Sequence, residues 1–375
     1  MYKFFIEDKD FLLEDNFSSI ENFTVKSSPW NYTVTVKQEN NPCKEIQNLL
    51  NENPHNLLLV DRNVYNLYLK NIMVSDDRIY IADATENFKT IDGILDVISF
   101  LEKNEFTKQE TLIVVGGGII EDVGAFVGAC FKRGINWIYF PTTLLSMCDS
   151  CIGGKTGINH NNTKNQLALF SAPRKVIVNT EFLKTLSDFD IKSGMGEILK
   201  LLVTGGKEPL KIYEKEVING KVKNFNSYKP LILSSLAVKR AVIEEDEFEK
   251  NYRRSLNYGH TLGHAIESLS NYKIPHGQAV IIGMVMINKI ALNRGFLDQK
   301  DYDICQKLAK ELLGDYIMKD VTLDGIEKLL KRDKKTLGNK VIFVIIKKLG
   351  DTKFLPIELS SELINELDII KNQEF

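Results

Sequence analysis

The sequence predicts an α/β protein whose N-terminal half holds a parallel β-sheet and whose C-terminal half is mostly α-helical. In the first half, short runs rich in valine, isoleucine and leucine alternate with helical stretches, as in NLLLVD, IDGILDVISFLEKN and TLIVVGGG. Such strand–helix–strand repeats imply parallel strands joined by crossover helices, with ligands bound at the carboxyl ends of the strands. From about residue 181 the apolar residues recur at helical spacing, as in LILSSLAVKRAVIEEDEFEK and GQAVIIGMVMINKIALNRG.

These patterns divide the chain into an N-terminal arm at 1–29, ahead of the strand NYTVTV, an α/β domain at 30–180 and a helical domain at 181–375. A chain of 375 residues exceeds what one hydrophobic core usually supports, so two domains are expected. Near the C-terminus the run KVIFVIIKKLG predicts a further strand, which follows the basic turn KRDKKTLGNK.

Composition and charge favour a small-molecule partner. The chain is 43% hydrophobic and 26% charged, as is usual for a globular protein, and its 48 basic and 50 acidic side chains nearly cancel. This balance gives no electrostatic reason to expect nucleic acid or an anionic membrane as a partner. The N-terminus lacks the features of a signal peptide, and no segment holds 18 uncharged apolar residues, so we expect a cytoplasmic protein.

Cysteine usage does not indicate a disulfide framework. Five cysteines are scattered along the chain, and Cys148 and Cys151 form a C-x-x-C motif that could be a redox pair or half of a zinc site. There is no second C-x-x-C, and the motif does not open a βαβ unit of the redox type. We expect this pair to be buried or half-buried thiols.

Two polar segments follow predicted strands. In VVGGGIIEDVGAF, three glycines stand between a strand and a helix, where bare backbone can approach a phosphate, although turn geometry alone could explain them. The segment PTTLLSMCDSCIGGKTGINHNNTKNQ reads as a long connecting loop, and loops of that length are usually functional. Its Asp149, Lys155, Lys164 and Asn165 offer groups for an anionic, hydroxylated ligand, although any one of them could be solvated surface.

Three of the five histidines lie in LNYGHTLGHAIESLSNYKIPHG. His260 and His264 are four residues apart on a predicted helix and could form a hydrogen-bonded stripe. His276 follows a break at KIP and could fold back from a loop or from the start of the next helix. Three converging imidazoles favour a metal such as zinc, cobalt, nickel or iron, but spacing does not select which three groups bind it.

A charged pair interrupts an otherwise apolar helix in SGMGEILKLL. Glu197 and Lys200 are three residues apart, which is most often a weak surface pair. Here the flanking residues are glycine, methionine, isoleucine and leucine. Charges in apolar surroundings need a partner, and a metal is one candidate.

Five motifs in this order resemble the 3-dehydroquinate synthase family of sugar-phosphate cyclases: GGGIIEDVGAFVGACFKRG, PTTLLSMCDSCIGGKTGINHNNTKN, GMGEILK, LNYGHTLGHAIE and HGQAVIIGM. The resemblance runs from about residue 56 to 345 and leaves the predicted arm outside it. It implies an N-terminal Rossmann-like NAD-binding α/β domain, a mostly α-helical C-terminal domain, an active site between them, and a homodimer.

The resemblance also implies roles for individual residues. A divalent metal, zinc or cobalt, would be bound by Glu197, His260 and His276, while His264 would face the substrate. NAD would contact Asp61, Asn63, Glu86, Lys89, Gly117, Gly118, Asp122, Thr142, Thr143, Asp149 and Lys164. The substrate phosphate would meet Arg133, Lys155, Asn165 and Lys340. The substrate carboxylate would meet Lys239 and Arg253 beside Asn257, with Asp149 near the reacting alcohol and Lys200 among the catalytic residues.

The activity implied is conversion of 3-deoxy-D-arabino-heptulosonate 7-phosphate to 3-dehydroquinate and phosphate, as in the shikimate pathway of aromatic amino acid biosynthesis. NAD would oxidise one hydroxyl transiently, which permits elimination of phosphate, and re-reduction and intramolecular aldol closure would follow. NAD would not be consumed.

Three departures from the family pattern leave alternatives open. Gly196 stands where alanine is usual, KNQLALFSAP replaces the usual run, and Lys250 and Asn251 replace glycines. One alternative is a divergent cyclase acting on sedoheptulose 7-phosphate or an amino analogue. Others are a metal- and NAD-dependent alcohol or glycerol dehydrogenase and a degenerate homologue that only binds. The presence of His264, Lys239 and Arg253 favours an acidic substrate.

Overall fold

The structure is a computed structural model that describes residues 1–28, 30–161, 163–314, 318, 321–332, 336–337 and 339–375. These residues form two compact units. The first, here called the α/β unit, is Ile20–Ser187, and the second, called the helical unit, combines Met1–Ser19 with Asp188–Phe375. The α/β class predicted from the sequence is confirmed.

The α/β unit is built on a seven-stranded sheet in the order β3-β4-β11-β8-β7-β5-β6. Its strands are β3 (Asn22–Val25), β4 (Tyr32–Lys37), β5 (Leu57–Asp61), β6 (Ile79–Ala82), β7 (Thr111–Gly116), β8 (Asn136–Pro141) and β11 (Lys175–Asn179). Its helices are α1 (Lys44–Glu52), α2 (Arg62–Val64), α3 (Ile91–Lys103) and α4 (Gly118–Cys130). β3 pairs antiparallel with β4, and the other pairs in the sheet are parallel. Because both faces of β5 and β7 are buried, their sequences are almost continuously apolar.

Three neighbouring strands end at one edge of this sheet. Val60 pairs with Val115 and Gly116 pairs with Pro141, so the carboxyl ends of β5, β7 and β8 are level. Helix α4 begins at Gly118, two residues after β7 ends. The glycine turn and the start of α4 therefore lie at the edge where parallel sheets bind ligands.

The segment expected to be a long loop contains regular structure instead. A π-helical turn at Ser146–Ser150 is followed by a hairpin of β9 (Lys155–His160) and β10 (Thr163–Phe170). The Thr156 hydroxyl donates to the Asp122 carbonyl at 2.7 Å, and the Gly157 N–H donates to the Asp122 carboxylate at 3.2 Å. The prediction of a loop failed because polar contacts with α4 hold β9 in place. A strand held in this way does not need the alternation of apolar and polar residues by which strands are recognised in a sequence.

The helical unit contains eight helices and a second sheet among its described residues. The helices are α5 (Asp188–Gly205), α6 (Lys207–Glu216), α7 (Tyr228–Glu245), α8 (His260–Leu269), α9 (His276–Asn293), α10 (Gln299–Leu312), α11 (Leu323–Arg332) and α12 (Ser361–Glu374). β12 (Val217–Ile218) and β13 (Lys221–Val222) form a small ribbon. The sheet has the order β14-β15-β16-β1-β2, with β1 (Tyr2–Ile6), β2 (Lys9–Leu13), β14 (Thr336–Leu337), β15 (Lys340–Lys348) and β16 (Asp351–Glu358). No helix in the described part of the chain is both long and apolar enough to cross a membrane.

Residues 1–29, interpreted from the sequence as an arm, contain β1, β2 and β3. β1 pairs with β16 in the helical unit, whereas β3 belongs to the sheet of the α/β unit. Phe4, Ile6, Phe11 and Leu13 are at most 4% exposed, whereas Phe5 and Leu12, which lie between them, are more exposed. At the other end of the chain, the predicted strand KVIFVIIKKLG is confirmed as β15, and residues 333–335 and 338 of the preceding basic turn lie outside the described residues.

Helix α9 touches α5 and α8 through bare backbone. A Cβ atom added to Gly277 would lie 1.8 Å from the Ser193 carbonyl oxygen in α5, and one added to Gly196 would lie 2.2 Å from the Gly277 oxygen. A Cβ atom added to Gly283 would lie 2.0 Å from the carbonyl oxygen of Gly259, directly before α8. Only glycine permits these helices to approach so closely.

We predict that Gly283→Ala destabilises the protein. The new methyl group must push α9 away from the Gly259 carbonyl, and overpacking of this kind costs about 1–3 kcal/mol, more than the gain of up to about 1 kcal/mol in helix propensity. Urea denaturation should show the lower free energy of unfolding. Ser268→Ala on the exposed side of α8 is the control; equal stability of the two variants would contradict the prediction.

Candidate active site

The helical unit brings three imidazoles and a carboxylate together in a cluster of Glu197, His260, His264 and His276. The ring centroids are 5.2 Å apart for His260 and His264, 5.3 Å for His260 and His276, and 5.6 Å for His264 and His276. One nitrogen from each ring can be chosen so that all three lie within 4.8 Å of one another. His276 reaches the cluster from the first residue of α9, one of the two positions that the sequence left open.

The spacing inside the cluster fits a metal ion. The Nε2 atoms of His276 and His260 lie 3.2 and 3.5 Å from Oε1 of Glu197. Two ligand atoms bound to one tetrahedral zinc, each at about 2.1 Å, are about 3.4 Å apart. The cluster therefore contains a set of nitrogen and oxygen donors at the separation that a divalent transition metal requires.

Both of these imidazoles are oriented by a second hydrogen bond. Nδ1 of His260 lies 3.2 Å from the Tyr258 carbonyl oxygen, and Nδ1 of His276 lies 3.0 Å from Oε2 of Glu267. A proton on Nδ1 in each ring leaves the lone pair on Nε2, the atom that faces Glu197. Sequence reasoning missed Glu267, although its place seven residues after His260 puts both on one face of α8.

Electrostatics in the cluster favour a cation. Burial alone would lower the pKa of His276, but hydrogen bonds to Glu197 and Glu267 outweigh it and raise the pKa to about 10. The two carboxylates therefore hold a proton on His276 more tightly than water holds one on a free imidazole. A divalent metal would have to displace this proton, because only a neutral imidazole binds a metal.

Glu197 and Lys200 form a buried ion pair. Nζ of Lys200 lies 2.5 Å from Oε2 of Glu197, and the two side chains are 2% and 1% exposed. The alternative of a weak surface pair is therefore wrong. Since Oε1 faces the imidazoles while Oε2 faces Lys200, the lysine fixes which carboxylate oxygen is directed to the cluster.

Two more cations are buried in the helical unit. Lys239 on α7 is 6% exposed, and Arg253, in the turn after α7, is 2% exposed. Asp246 accepts the backbone N–H groups of Lys250, Asn251 and Arg253 at 2.7 to 3.0 Å. Burial would raise the pKa of Asp246, but these donors outweigh it and lower the pKa.

The same turn explains two departures from the family pattern. Lys250 and Asn251 contribute backbone N–H groups to Asp246, and neither has a positive φ that would call for glycine. Asn257, farther along, donates from its side chain to Glu249 at 3.0 Å.

In the α/β unit, the predicted cofactor residues line the carboxyl edge of the sheet. The Asp61 carboxylate accepts the N–H groups of Asn63 and Val64 at 2.6 and 3.1 Å and begins α2. The Thr142 N–H donates to the Gly116 carbonyl at 3.0 Å, and the Thr143 methyl group fills the space where a Cβ on Gly117 would lie. A Cβ on Gly118 would meet no atom within 4 Å, so open space adjoins the first turn of α4. Asp149 lies half-buried in the π-helical turn.

Four other predicted cofactor residues form two ion pairs. Nζ of Lys89 lies 2.5 Å from Oδ2 of Asp122, and Nζ of Lys164 lies 2.9 Å from Oε1 of Glu86. Burial raises the pKa of Asp122 despite the opposing effect of Lys89. Asn159 joins the two pairs, since its side chain donates to Glu86 at 2.7 Å and its N–H donates to the Lys89 carbonyl at 2.8 Å.

The predicted phosphate residues are only partly brought together. Lys155 and Asn165 are exposed on the β9–β10 hairpin. Asn165 has a φ of 54° and lies beside Gly157. Arg133 is exposed and precedes the first residue of β8. Because the six residues of β8 span about 17 Å, a single chain places Arg133 at the edge of the sheet opposite the glycine turn. Lys340 is exposed at the start of β15 in the helical unit.

The two cysteines of the C-x-x-C motif are buried on either side of Asp149 in the sequence. Cys148 and Cys151 are both free thiols and at most 2% exposed, as the sequence predicts. Their sulfur atoms lie 3.6 and 3.5 Å from the carbonyl oxygens of Leu145 and Met147. Both are part of the core.

Comparison with known proteins agrees with the motifs. Residues 79–193 match the family model for the 3-dehydroquinate synthase N-terminal region, and residues 194–336 match that for the C-terminal region. A 3-dehydroquinate synthase of Streptococcus equi subsp. equi is 33% identical over 318 residues, which cover 83% of this chain and 88% of that protein.

Two solved structures share the fold. A 2-deoxy-scyllo-inosose synthase complexed with carbaglucose-6-phosphate, NAD+ and Co2+ has a TM-score of 0.81 and 21% identity over 94% of this chain and 99% of that chain. A 2-epi-5-epi-valiolone synthase from Streptomyces hygroscopicus subsp. jinggangensis with NAD+ and Zn2+ has a TM-score of 0.75 and 21% identity over 93% of this chain and 98% of that chain. The family models and the bacterial relative together show that this chain belongs to the 3-dehydroquinate synthase family.

Proposed function

We propose that this enzyme converts 3-deoxy-D-arabino-heptulosonate 7-phosphate to 3-dehydroquinate and phosphate. As a member of its family it is a carbon–oxygen lyase. The observation that carries the proposal is the convergence of Glu197 with the Nε2 atoms of His260 and His276 at the spacing of metal ligands. NAD and a divalent metal are its cofactors, and we propose zinc or cobalt because nitrogen and carboxylate donors suit both.

When bound, NAD would supply a reversible hydride acceptor, and the metal would supply a Lewis acid for the hydroxyl group that is oxidised. Glu197, His260 and His276 would hold the metal. His264 is the most exposed of the three imidazoles, and this exposure suits a contact with the substrate. The cofactor would occupy the open space beside Gly118, where the N–H groups of the first turn of α4 attract a phosphate.

The substrate carries a negative group at each end, and the proposed residues match both. Lys239 and Arg253, beside Asn257, would bind the carboxylate, and burial strengthens such contacts by excluding water. Lys155, Asn165 and Lys340 would bind the phosphate. A substrate fixed at both ends presents the same carbon atoms at each step, so positioning does much of the catalytic work. Lys200 and Asp149 would assist proton transfer near the reacting hydroxyl.

The alternative activities are not favoured. A cyclase of a neutral sugar phosphate has no use for two buried cations in the helical unit, and the family match concerns 3-dehydroquinate synthases rather than alcohol dehydrogenases. We place the enzyme in the cytoplasm, where NAD is available.

Arg133 supports the proposal of a homodimer. Within one chain it lies at the edge of the sheet opposite Thr142, about 17 Å away along β8. Lys155, by contrast, adjoins Thr156 and Gly157, which bond to Asp122 in the first half of α4. The two residues could bind one phosphate if Arg133 of the partner subunit reached the site, and a two-fold dimer would repeat that contact in both sites.

We predict that His276→Ala abolishes turnover while the protein stays folded. The change removes a proposed metal ligand. Loss of a ligand's hydrogen-bond partner lowers metal affinity by up to about 100-fold, so loss of the ligand itself should lower it by more than that. Isothermal titration with Zn2+ measures the affinity, and circular dichroism checks the fold. His55→Ala, at an exposed histidine in the α/β unit, is the control. Full turnover by metal-free His276→Ala protein would sink the assignment.

The substrate is tested by phosphate release from the metal-loaded enzyme with catalytic NAD. We expect release from 3-deoxy-D-arabino-heptulosonate 7-phosphate and none from sedoheptulose 7-phosphate, which lacks the carboxylate. Arg253→Ala should lower kcat/KM for the first substrate about 30-fold or more, because truncation of a buried charged partner costs about 2–5 kcal/mol. Arg254→Ala, at the exposed neighbour, should not. Release from sedoheptulose 7-phosphate alone would exclude the proposed carboxylate site.

The shared site predicts complementation between two inactive variants. In co-expressed Arg133→Ala and His276→Ala chains, random pairing gives mixed dimers in which one of the two sites has an intact set of residues. Half of the dimers are then mixed, and each mixed dimer has one intact site of two. The whole sample should therefore regain about a quarter of the activity of the same amount of wild-type protein. If Arg133 acts within its own chain, the mixed sample stays as inactive as either variant alone.

A further inference from the structure

We propose that Glu267 is a positioning residue that directs His276 toward the metal. Its Oε2 lies 3.0 Å from Nδ1 of His276, and its side chain is 15% exposed. The opposite ring nitrogen, Nε2, lies 3.2 Å from Oε1 of Glu197. One imidazole thus lies between two carboxylates, of which Glu197 belongs to the proposed ligands and Glu267 does not. The inference rests on the metal site of the proposed function.

The contact with Glu267 determines which nitrogen of His276 can bind a metal. An ionised carboxylate can accept a hydrogen bond but cannot donate one. Glu267 therefore selects the tautomer of His276 with the proton on Nδ1. The lone pair is then on Nε2, directed toward Glu197. Without Glu267, the His276 side chain, at the first residue of α9, could turn its ring or carry the proton on Nε2.

Glu267 is itself held in place by the end of α8. Its backbone carbonyl accepts the N–H of Tyr272 at 3.0 Å and the hydroxyl of Ser270 at 2.8 Å. The carboxylate therefore projects from a fixed turn. His260 differs, because its Nδ1 faces the backbone carbonyl of Tyr258, which no substitution removes. Of these two imidazoles, His276 is therefore the one whose Nδ1 partner is a side chain and can be removed by substitution.

A purely structural role for Glu267 is the competing explanation. The contact with His276 spans the turn between α8 and α9 and could only hold the two helices together. These helices are already joined by the close approach of Gly283 to Gly259. We therefore expect loss of the carboxylate to affect metal binding more than folding.

The experiment measures metal affinity and metal-free stability separately in the full chain. Wild type, Glu267→Ala, Glu267→Gln and Ser268→Ala are stripped of metal and titrated with Zn2+ in a calorimeter, and each metal-free unfolding temperature is recorded. With Co2+, the visible absorption bands report the geometry around the metal. Glu267→Ala should weaken Zn2+ binding about 10- to 100-fold and alter the Co2+ bands. Glu267→Gln should lose less Zn2+ affinity, because its amide oxygen can still accept a hydrogen bond from the Nδ1–H group.

The outcomes distinguish the inference from the function on which it rests. Wild-type affinity in Glu267→Ala protein, or a lower metal-free unfolding temperature with unchanged affinity, would overturn the role of Glu267 and leave the metal site standing. Failure of the wild-type protein to bind Zn2+ or Co2+ would overturn the proposed function itself. Should the alanine variant not fold, Glu267→Leu fills the same space without an acceptor and is expected to show the same loss of affinity.

Discussion

The candidate site depends on how closely helix α9 approaches α5 and α8. Gly277 lies against the Ser193 carbonyl and Gly283 lies against the Gly259 carbonyl, so that three helix backbones meet without side chains between them. Glu197 follows Ser193 by one turn of α5, His260 directly follows Gly259, and His276 directly precedes Gly277. The contacts that pack the helices are thus adjacent in sequence to the groups that form the cluster. A shift of α9 by one ångström would change the distances between metal donors by a similar amount.

Buried charge is the second constraint on the helical unit. Glu197, Lys200, Lys239 and Arg253 are at most 6% exposed, and a buried ion is costly unless it is paired and hydrogen-bonded. Glu197 meets Lys200 on one oxygen and two imidazoles on the other, while the turn that carries Arg253 is organised by Asp246. Replacing such groups affects stability and ligand binding together. For this reason, stability must be measured beside activity in every variant of the site.

Much of the fold could be predicted because the relevant signals are local. Buried parallel strands such as β5 and β7 are continuous apolar runs, and helix α3 buries apolar residues that recur every three or four positions. The β9–β10 hairpin could not be recognised, since the Thr156 and Gly157 contacts that hold it involve Asp122, more than thirty residues away. The hairpin β1–β2 was hidden because its strand partner, β16, lies at the other end of the chain. A local sequence pattern predicts which element forms, but not which distant element it pairs or packs with.

The same limit applies to the site. The sequence indicated that three histidines could converge and that a metal could be a partner of Glu197, but spacing alone did not select the ligands; the resemblance to the family did. Glu267 escaped notice because a single acid on a helix is most often solvated surface; its contact with His276 depends on the turn between α8 and α9. Lys89 with Asp122 and Lys164 with Glu86 were likewise identified as separate residues, whereas their pairing needs three segments of chain to meet.

The departures from the family pattern acquire a physical meaning from these contacts. Gly196 lies against the Gly277 backbone, where the absence of a side chain lets α5 and α9 approach, so the change affects packing rather than the groups that face a ligand. Lys250 and Asn251 act through backbone N–H groups that any residue other than proline could supply. Gly196, Lys250 and Asn251 do not replace side chains that are proposed to meet the substrate. In the proposed function, recognition of an acidic sugar phosphate therefore still rests on Lys239, Arg253 and the histidine cluster.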